Sequence, residues 1–373
     1  MKKMIPVILF IVNMAFPQLY DGFDIPTFEY RTFSVSGDEL LDWNKTGDNS
    51  ETNINLGGNY NFKSQSPEFS YGYGSNFSYD NQTIGDADPT GEWKLGVPFN
   101  ANKYFGDSHG IFGFADGTLD MFGGPNHEGV DDTGDLNLTV GAGYGRIISA
   151  KPVAQAAAIA SELGGGVSDA AILEMAGIIS KYNAGWYENE YKDNDQVQYY
   201  NDLADAAGKS GAAMKIQQIA TSPVYNISDR STGWFVRAGL KNNYMRAEGD
   251  EDKGDMSVKA GYAMPMGMDR QVSASFEYDK DMNEGAGNSM ELGLDYTMDH
   301  TYTWATSAGL TYGSVVAVEN ADAVNTMGLE VSTTKAIINK LTGTATFSYV
   351  KDDKIDPTNP TMGLNVSFSY WVF

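Results

Sequence analysis

The chain contains no cysteine and only three histidines among its 373 residues. The lack of cysteine excludes disulfides, thiolate metal sites, iron–sulfur clusters, a cysteine nucleophile and a lipoprotein anchor. Basic residues are also scarce, at 25 Lys and Arg against 49 Asp and Glu, which gives a net charge of -24. A general affinity for nucleic acid or anionic lipid needs a basic face, so both are excluded as partners. Beyond the N-terminus, no apolar run is long enough for a membrane helix.

The first 17 residues have the pattern of a secretory signal peptide. Lys2 and Lys3 precede the apolar stretch Met4–Phe16. A basic end followed by a short apolar core is typical of an export signal, and the stretch is short for a membrane span. We therefore expect residues 1–17 to be removed and the mature chain to begin near Gln18. An uncleaved N-terminal anchor is the alternative.

Most of the remaining chain alternates between apolar and polar residues. In residues 52–63, for example, Ile54, Leu56, Tyr60 and Phe62 alternate with asparagines and other polar or small residues. A period of two is the strand period, because successive side chains of a strand point to opposite faces. Similar segments recur along the chain and resume after residue 230. The pattern therefore predicts an all-β protein.

Two architectures produce many alternating strands, the soluble β-sandwich and the membrane β-barrel. The segments here are about ten residues or longer, which exceeds the usual globular strand. Their apolar faces tend to begin or end in aromatic residues, as in an interfacial girdle. Their other faces are rich in Asn, Ser, Thr, Gly and charge, which suits a wet lumen. These features favour an antiparallel transmembrane β-barrel.

The sequence resembles bacterial outer-membrane β-barrel proteins of the porin type. The resemblance rests on the signal peptide, the strand–loop pattern and the aromatic C-terminus Ser367-Phe368-Ser369-Tyr370-Trp371-Val372-Phe373. It implies a place in the outer membrane of a Gram-negative bacterium, in contact with lipid. It also implies that the barrel-assembly machinery reads Tyr370, Trp371 and Phe373 as an assembly signal.

Loop parity predicts the number of strands. Both termini of such barrels lie in the periplasm, and short turns alternate with longer outer loops. Counted back from Phe373, short turns and long loops alternate as expected. Counted forward from the N-terminus, they alternate correctly only if one more, weakly patterned strand lies near residues 108–122. The total is then fourteen strands, with twelve and sixteen as alternatives. We expect residues 18–149 to form the first part of the barrel and residues 229–373 the second.

Residues 150–228 break the alternation and predict an α-helical insert on the periplasmic side. Pro152 suits a first helical turn, and Gly164–Gly166 would end that helix. Ser168 or Asp169 can cap a second helix, and a third fits Asp195–Ala207. The insert is expected either to cap the lower rim of the barrel or to act as a plug or docking platform.

Residues suited to catalysis or to a cofactor are sparse. His109, His127 and His300 are far apart, and no motif pairs one of them with a serine or a carboxylate. We therefore predict no enzymatic activity and no cofactor. Weak binding of divalent cations is conceivable at three acidic loops, which are Asp131–Asp135, Asp250–Asp255 and Asp352–Asp356.

The inward face of the predicted strands carries charges of both signs. Arg237, Lys241 and Lys259 would line one wall, and Glu277, Glu291 and Asp295 the next two strands, with Glu330 further around. Opposed rows could create a field across the lumen, or the charges could pair across neighbouring strands. The predicted function is a channel for passive diffusion of small hydrophilic solutes or ions. The alternative is a structural or assembly barrel whose insert, residues 150–228, binds a periplasmic protein.

Overall fold

The computed structural model describes the chain in segments between residues 20 and 370. The predicted signal peptide, His127, Trp371 and Phe373 lie outside them, as do residues 131–133, 250–253 and 353–356 of the acidic loops. The described residues are 20, 22–23, 25, 27–36, 42–46, 49–84, 90–124, 134–221, 227–244, 254–267, 269–283, 285–301, 304–318, 321–338, 341–352 and 360–370.

One antiparallel sheet contains all the strands that the described residues form. Apart from the first two strands, each strand pairs with the next one in the chain, so the sheet is an up-and-down meander. The strands are β1 Phe28–Ser36, β2 Asp42–Thr46, β3 Asn49–Gln65, β4 Phe69–Ile84, β5 Thr90–Tyr104, β6 Ile111–Gly123, β7 Asp135–Ser149, β8 Ser231–Asn243, β9 Asp255–Pro265, β10 Arg270–Asp281, β11 Ala286–Thr301, β12 Trp304–Val318, β13 Val324–Ile338, β14 Leu341–Asp352 and β15 Thr361–Tyr370.

The first two strands occupy one position in the sheet. β1 pairs with residues 57–65 of β3, and β2 pairs with residues 49–53 of the same strand. The order then runs from β1 through β3 to β15, which gives the fourteen positions expected from the sequence. The extra strand predicted near residues 108–122 is β6.

Antiparallel pairing assigns each connection to one end of the sheet. β1 begins at the same end at which β15 finishes, and the β3–β4, β5–β6 and β9–β10 connections also lie there. The connection between β11 and β12 falls at residues 302–303. β11 ends at Thr301 and β12 begins at Trp304, so this connection is short.

The outer face of the sheet is apolar and exposed. Trp234, Val236 and Leu240 on β8 are 48%, 44% and 57% exposed, and Leu294 on β11 is 41% exposed. Contiguous apolar patches of more than a few hundred Å² are rare on water-soluble proteins. A face of this kind, which recurs on strand after strand, is suited to contact with lipid, and the chain therefore has the fold of a transmembrane β-barrel.

An aromatic and basic group lies on this face, close to the end where β1 begins and β15 finishes. The indole of Trp304 donates a hydrogen bond to Thr333 (2.7 Å). The rings of His300 and Trp304 are 4.3 Å apart, and the Lys335 ammonium lies 5.6 Å from the Trp304 ring. Amphipathic rings and snorkelling lysines are typical of the membrane–water interface.

A helical insert interrupts the meander between β7 and β8. Its helices are α1 Lys151–Glu162, α2 Asp169–Asn183, α3 Trp186–Tyr191, α4 Asp195–Ala206 and α5 Ala213–Ala220. Pro152 lies in the first turn of α1, and the Ser168 hydroxyl accepts a hydrogen bond from the Ala171 amide to cap α2. In the described segments, no helix is long and apolar enough to cross a membrane.

The insert has a hydrophobic core of its own. Val153, Ile159, Met175, Ile179 and Leu203 are nearly or completely buried in it. The same core includes Tyr20, Phe23 and Ile25, which precede β1, and Ile148 at the end of β7. The helices therefore pack against the segment that precedes β1, at the end of the sheet where β1 begins and β15 finishes.

The segment that returns from the insert to β8 is tied to β11. The Arg230 guanidinium is completely buried and forms a salt bridge of 2.6 Å with Asp299. Asp299 also accepts hydrogen bonds from the hydroxyl and amide of Ser228. β9 and β10 lie between β8 and β11, so this contact spans the concave side of a strongly curved sheet.

Tyr20 adds a second tie at this end. Its hydroxyl donates a hydrogen bond to the Gly267 carbonyl (3.1 Å) in the β9–β10 connection. Burial raises the pKa of Tyr20 to about 12, with a smaller lowering effect from Arg230. The phenol therefore remains protonated and able to donate at physiological pH.

We expect an arginine on the outer face to destabilise the barrel. Leu294→Arg should cost roughly 2–4 kcal/mol if the site lies near the bilayer midplane, because the guanidinium is desolvated there. Ser273→Arg is the control, since Ser273 lies on the inner face opposite Asp295. Urea unfolding in lipid vesicles measures both, and equal destabilisation would contradict the assigned faces.

Removal of the buried carboxylate should loosen the insert. Asp299→Ala removes the carboxylate from a salt bridge of the completely buried Arg230 guanidinium, and such changes cost about 3–5 kcal/mol. Asp229→Ala is the matched control, because the Asp229 side chain is 90% exposed and its salt bridge to Lys151 lies at the surface. Limited proteolysis at increasing urea concentration should cleave the insert of Asp299→Ala first. Equal resistance of the two variants would overturn this role for Asp299.

Candidate channel interior

The inner face of the sheet contains most of the charged residues that the sequence singled out. Arg237, Lys259, Glu277, Glu291 and Asp295 occupy strand positions that alternate with the outward apolar residues. Glu330 alternates in the same way with the exposed Leu329 and Val331 on β13, and Lys241 with Leu240 on β8. The seven predicted lumen residues therefore share the inner face.

Arg237 pairs with a carboxylate that the sequence analysis did not identify. Its guanidinium is 2.9–3.0 Å from the two carboxylate oxygens of Asp116 on β6. It also lies over the rings of Phe114 and Phe235, at 4.6 and 5.8 Å from their centroids. β7 lies between β6 and β8, so this ion pair joins two strands that are not neighbours.

Lys259 and Glu277 pair across adjacent strands. Their ammonium and carboxylate groups are 2.6 Å apart, and each side chain is about one-third exposed. Glu277 in turn lies opposite Glu291 on β11. Part of the charge row therefore consists of side chains that pair across neighbouring strands, which was one of the two interpretations left open by the sequence.

A carboxylate pair lies on the wall formed by β11 to β13. Asp295, Gly309 and Glu330 are in direct register on three successive strands. Gly309 has no side chain, and the space beside it is taken by a carboxylate oxygen of Asp295. Glu291, Asp295 and Glu330 are all exposed, and in the described segments no lysine or arginine forms a salt bridge with them. This wall is therefore acidic.

Lys241 lies near the opposite end of the sheet from the insert. It lines a cavity of about 350 Å³ together with Asp255, Asp279 and Asp281. Three carboxylates and one ammonium group thus line the same cavity. In the described segments, no group of three or more acidic or histidine residues is arranged to hold a metal ion.

The predicted assembly signal is described only in part. Tyr370 is the last residue of β15 and pairs with Leu341. Trp371 and Phe373 lie outside the described residues. The role of these three residues in assembly stays a prediction.

Arg146 is a lumen residue that the sequence pattern assigned to the other face. Strict alternation after the exposed Tyr144 would direct it outward. Gly145 has a positive φ of 91°, which a residue with a side chain rarely adopts, and the strand is distorted there. The Arg146 guanidinium instead lies 4.2 Å from the ring centroid of Tyr104 and donates to the backbone carbonyls of Ser66 and Pro67, each at 2.9 Å.

An inward aromatic cluster was also missed. Tyr104, Phe112 and Phe114 are at most 7% exposed and pack with Phe235. On the other face of β6, Ile111 is 58% exposed. β6 is thus apolar on both faces, which explains why its alternation is weak in the sequence.

Two of the three histidines lie within the described residues. His109 lies in the exposed β5–β6 connection, 3.4 Å from the hydroxyl of its neighbour Ser108. His300 lies on the outer face and contacts Thr306 at 2.9 Å. Neither arrangement places a histidine in the channel interior.

Comparisons with known proteins concern the fold. No family model and no curated protein matches the sequence. OccK10 (OpdN) of Pseudomonas aeruginosa is similar at 9% identity over 94% of this chain and 100% of that chain, with a TM-score of 0.33. The translocator domain of the autotransporter NalP from Neisseria meningitidis is similar at 8% identity over 95% of this chain and 92% of that chain, with a TM-score of 0.27. The Pseudomonas putida toluene transporter TodX is similar at 10% identity over 94% of this chain and 81% of that chain, with a TM-score of 0.25. From its own sheet and its exposed apolar face, the chain has the architecture of an antiparallel transmembrane β-barrel.

Proposed function

We propose that the protein is an outer-membrane channel for passive diffusion of small hydrophilic solutes or ions. The observation that carries the proposal is the contrast between the two faces of the sheet. The outer face is apolar and exposed, whereas the inner face bears charged groups that stay partly or largely exposed, among them Lys259, Glu277, Glu291 and Glu330. Charged groups of this kind need water, and a fourteen-stranded barrel is wider than the eight-stranded kind that side chains fill.

The charge distribution supports a preference for cations. The acidic wall of Glu291, Asp295 and Glu330 faces the lumen, and the whole chain has a net charge of -24. Arg237 and Lys259 are largely compensated by Asp116 and Glu277. A passage lined by one sign of charge raises the local concentration of the opposite ion. This preference should weaken with salt, because the screening length falls from about 30 Å at 0.01 M to about 3 Å at 1 M.

Planar-bilayer recordings test the proposal. Purified protein should insert as stable conducting units, and reversal potentials in a KCl gradient at low salt should indicate a preference for K⁺. The double variant Asp295→Asn, Glu330→Gln removes two lumen charges and should reduce that preference. Glu162→Gln, which removes an exposed carboxylate at the end of α1 on the insert, is the matched control. A lack of conductance would overturn the proposed channel, and an anion preference would overturn the electrostatic argument.

The alternative function, a barrel whose insert binds a periplasmic protein, also has an observation in its favour. Trp186, Val197 and Met214 on the insert are 40%, 63% and 75% exposed. The insert is held to the sheet through Tyr20 and Arg230 at the end where β1 begins and β15 finishes. We propose that it is a cap on the periplasmic rim rather than a plug.

Deletion of the insert separates these roles. β7 and β8 pair as far as Ser149 and Ser231, so a short Gly/Ser turn in place of residues 151–229 should leave a folded barrel. Heat-dependent mobility in SDS gels measures folding. For a rim cap, single-channel conductance should change little. A sharp rise in conductance would show a plug, and failure to fold would show that the helices belong to the core of the barrel.

A further inference from the structure

A cavity opens on the inner face near the end of the sheet that carries the insert. Its volume is about 220 Å³, enough for about seven waters at ~30 Å³ each. Five strands and the end of β3 supply its walls, with amides, cations and aromatic rings together. Its lining includes Lys63, Asn102, Tyr104, Arg146, Phe235 and Arg237.

Arg146 brings a buried positive charge to this cavity. The residue is only 4% exposed. Its two terminal nitrogens donate to the Pro67 and Ser66 carbonyls, which are neutral acceptors. In the described segments, no carboxylate forms a salt bridge with Arg146. Burial of an uncompensated charge is unfavourable, so this guanidinium favours an anion beside it.

Two further cations line the same cavity. Arg237 has its charge paired with Asp116, but its Nε is buried and has no hydrogen-bond acceptor within the described residues. Lys63 on β3 adds a third positive group. The cavity is thus lined by three cations, of which Arg146 forms no salt bridge within the described segments, although the chain as a whole is strongly acidic.

The remaining walls are flat and aromatic. Tyr104 and Phe112 have ring centroids 5.2 Å apart, and Phe235 packs on the same cluster. On the polar side, the Asn102 amide donates to the Ser70 hydroxyl (3.2 Å). Aromatic walls of this kind bind planar groups through apolar contact and offset stacking.

We propose that this cavity is a binding subsite for a small aromatic carboxylate. The carboxylate accepts hydrogen bonds from Arg146, near the Arg237 guanidinium and the Lys63 ammonium, and the ring of the ligand lies against Tyr104, Phe112 and Phe235. The subsite deepens the proposed channel function and rests on it for its role in transport. Binding itself needs only the folded barrel.

Calorimetric titration of the full chain in detergent micelles tests the subsite with three probes. Benzoate carries both the charge and the ring, benzamide has the ring without the charge, and acetate has the charge without the ring. Benzoate should bind at least about tenfold more tightly than either other probe, because hydrogen bonds to charged groups and aromatic contact both contribute. Equal binding of benzamide would overturn the role of the cations. Equal binding of acetate would overturn the role of the rings.

Two variants test the residues. Arg146→Met should weaken benzoate binding by about tenfold or more. Because Arg146 also holds the Ser66–Pro67 turn, Lys63→Gln is the second variant and should weaken binding while the barrel stays folded. Lys103→Gln is its matched control, since Lys103 pairs with the exposed Glu68 outside the cavity. Unchanged affinity in Lys63→Gln and in folded Arg146→Met would overturn the site.

Bilayer recordings on the same preparations separate the two proposals. Conductance without benzoate binding would overturn the subsite and leave the channel. Benzoate binding without conductance would overturn the channel function and leave the subsite as a binding site.

Discussion

Backbone hydrogen bonding in a medium without water is the constraint on which the rest of this structure depends. A peptide group left unpaired in hydrocarbon costs several kcal/mol, so a chain that crosses the bilayer with strands must pair each strand with its neighbours. In the long meander, each strand from β3 to β14 has a hydrogen-bonded neighbour on both sides. Once the strands are paired, alternate side chains point to opposite faces, and one face can be apolar while the other is charged.

The curvature of the sheet creates the contacts near the insert. Arg146 reaches the β3–β4 connection, and Arg230 reaches Asp299, in each case across strands that lie between them. A flat sheet would hold these groups too far apart. Cations thus brace the sheet from its concave side, near the end where the helices pack. The insert and the N-terminal segment share one hydrophobic core, and the aromatic cluster is a separate one on the inner face. The acidic wall at Asp295 and Glu330 stays exposed.

Alternation allowed the fold and the inner face to be predicted from the sequence, because lipid contact forces a strict period of two. The prediction was less successful where that force is weak. On β6, Phe112 and Phe114 face inward while Ile111 faces outward, so both faces are apolar and the period is obscured. At Gly145 a positive φ breaks the alternation and redirects Arg146. The partnership of Arg237 with Asp116, 121 residues away, depends on curvature, which no local pattern encodes.

The central claim is that successive residues of one strand face lipid and water in turn. The chain has no cysteine, so single cysteines can be introduced without any background substitution. A fluorophore on each residue of 290–296, in lipid vesicles, measures the claim directly. Brominated lipid should quench the labels at Met290, Leu292, Leu294 and Tyr296, and aqueous iodide those at Glu291, Gly293 and Asp295. Quenching by iodide at every position, or by lipid at none, would contradict the account.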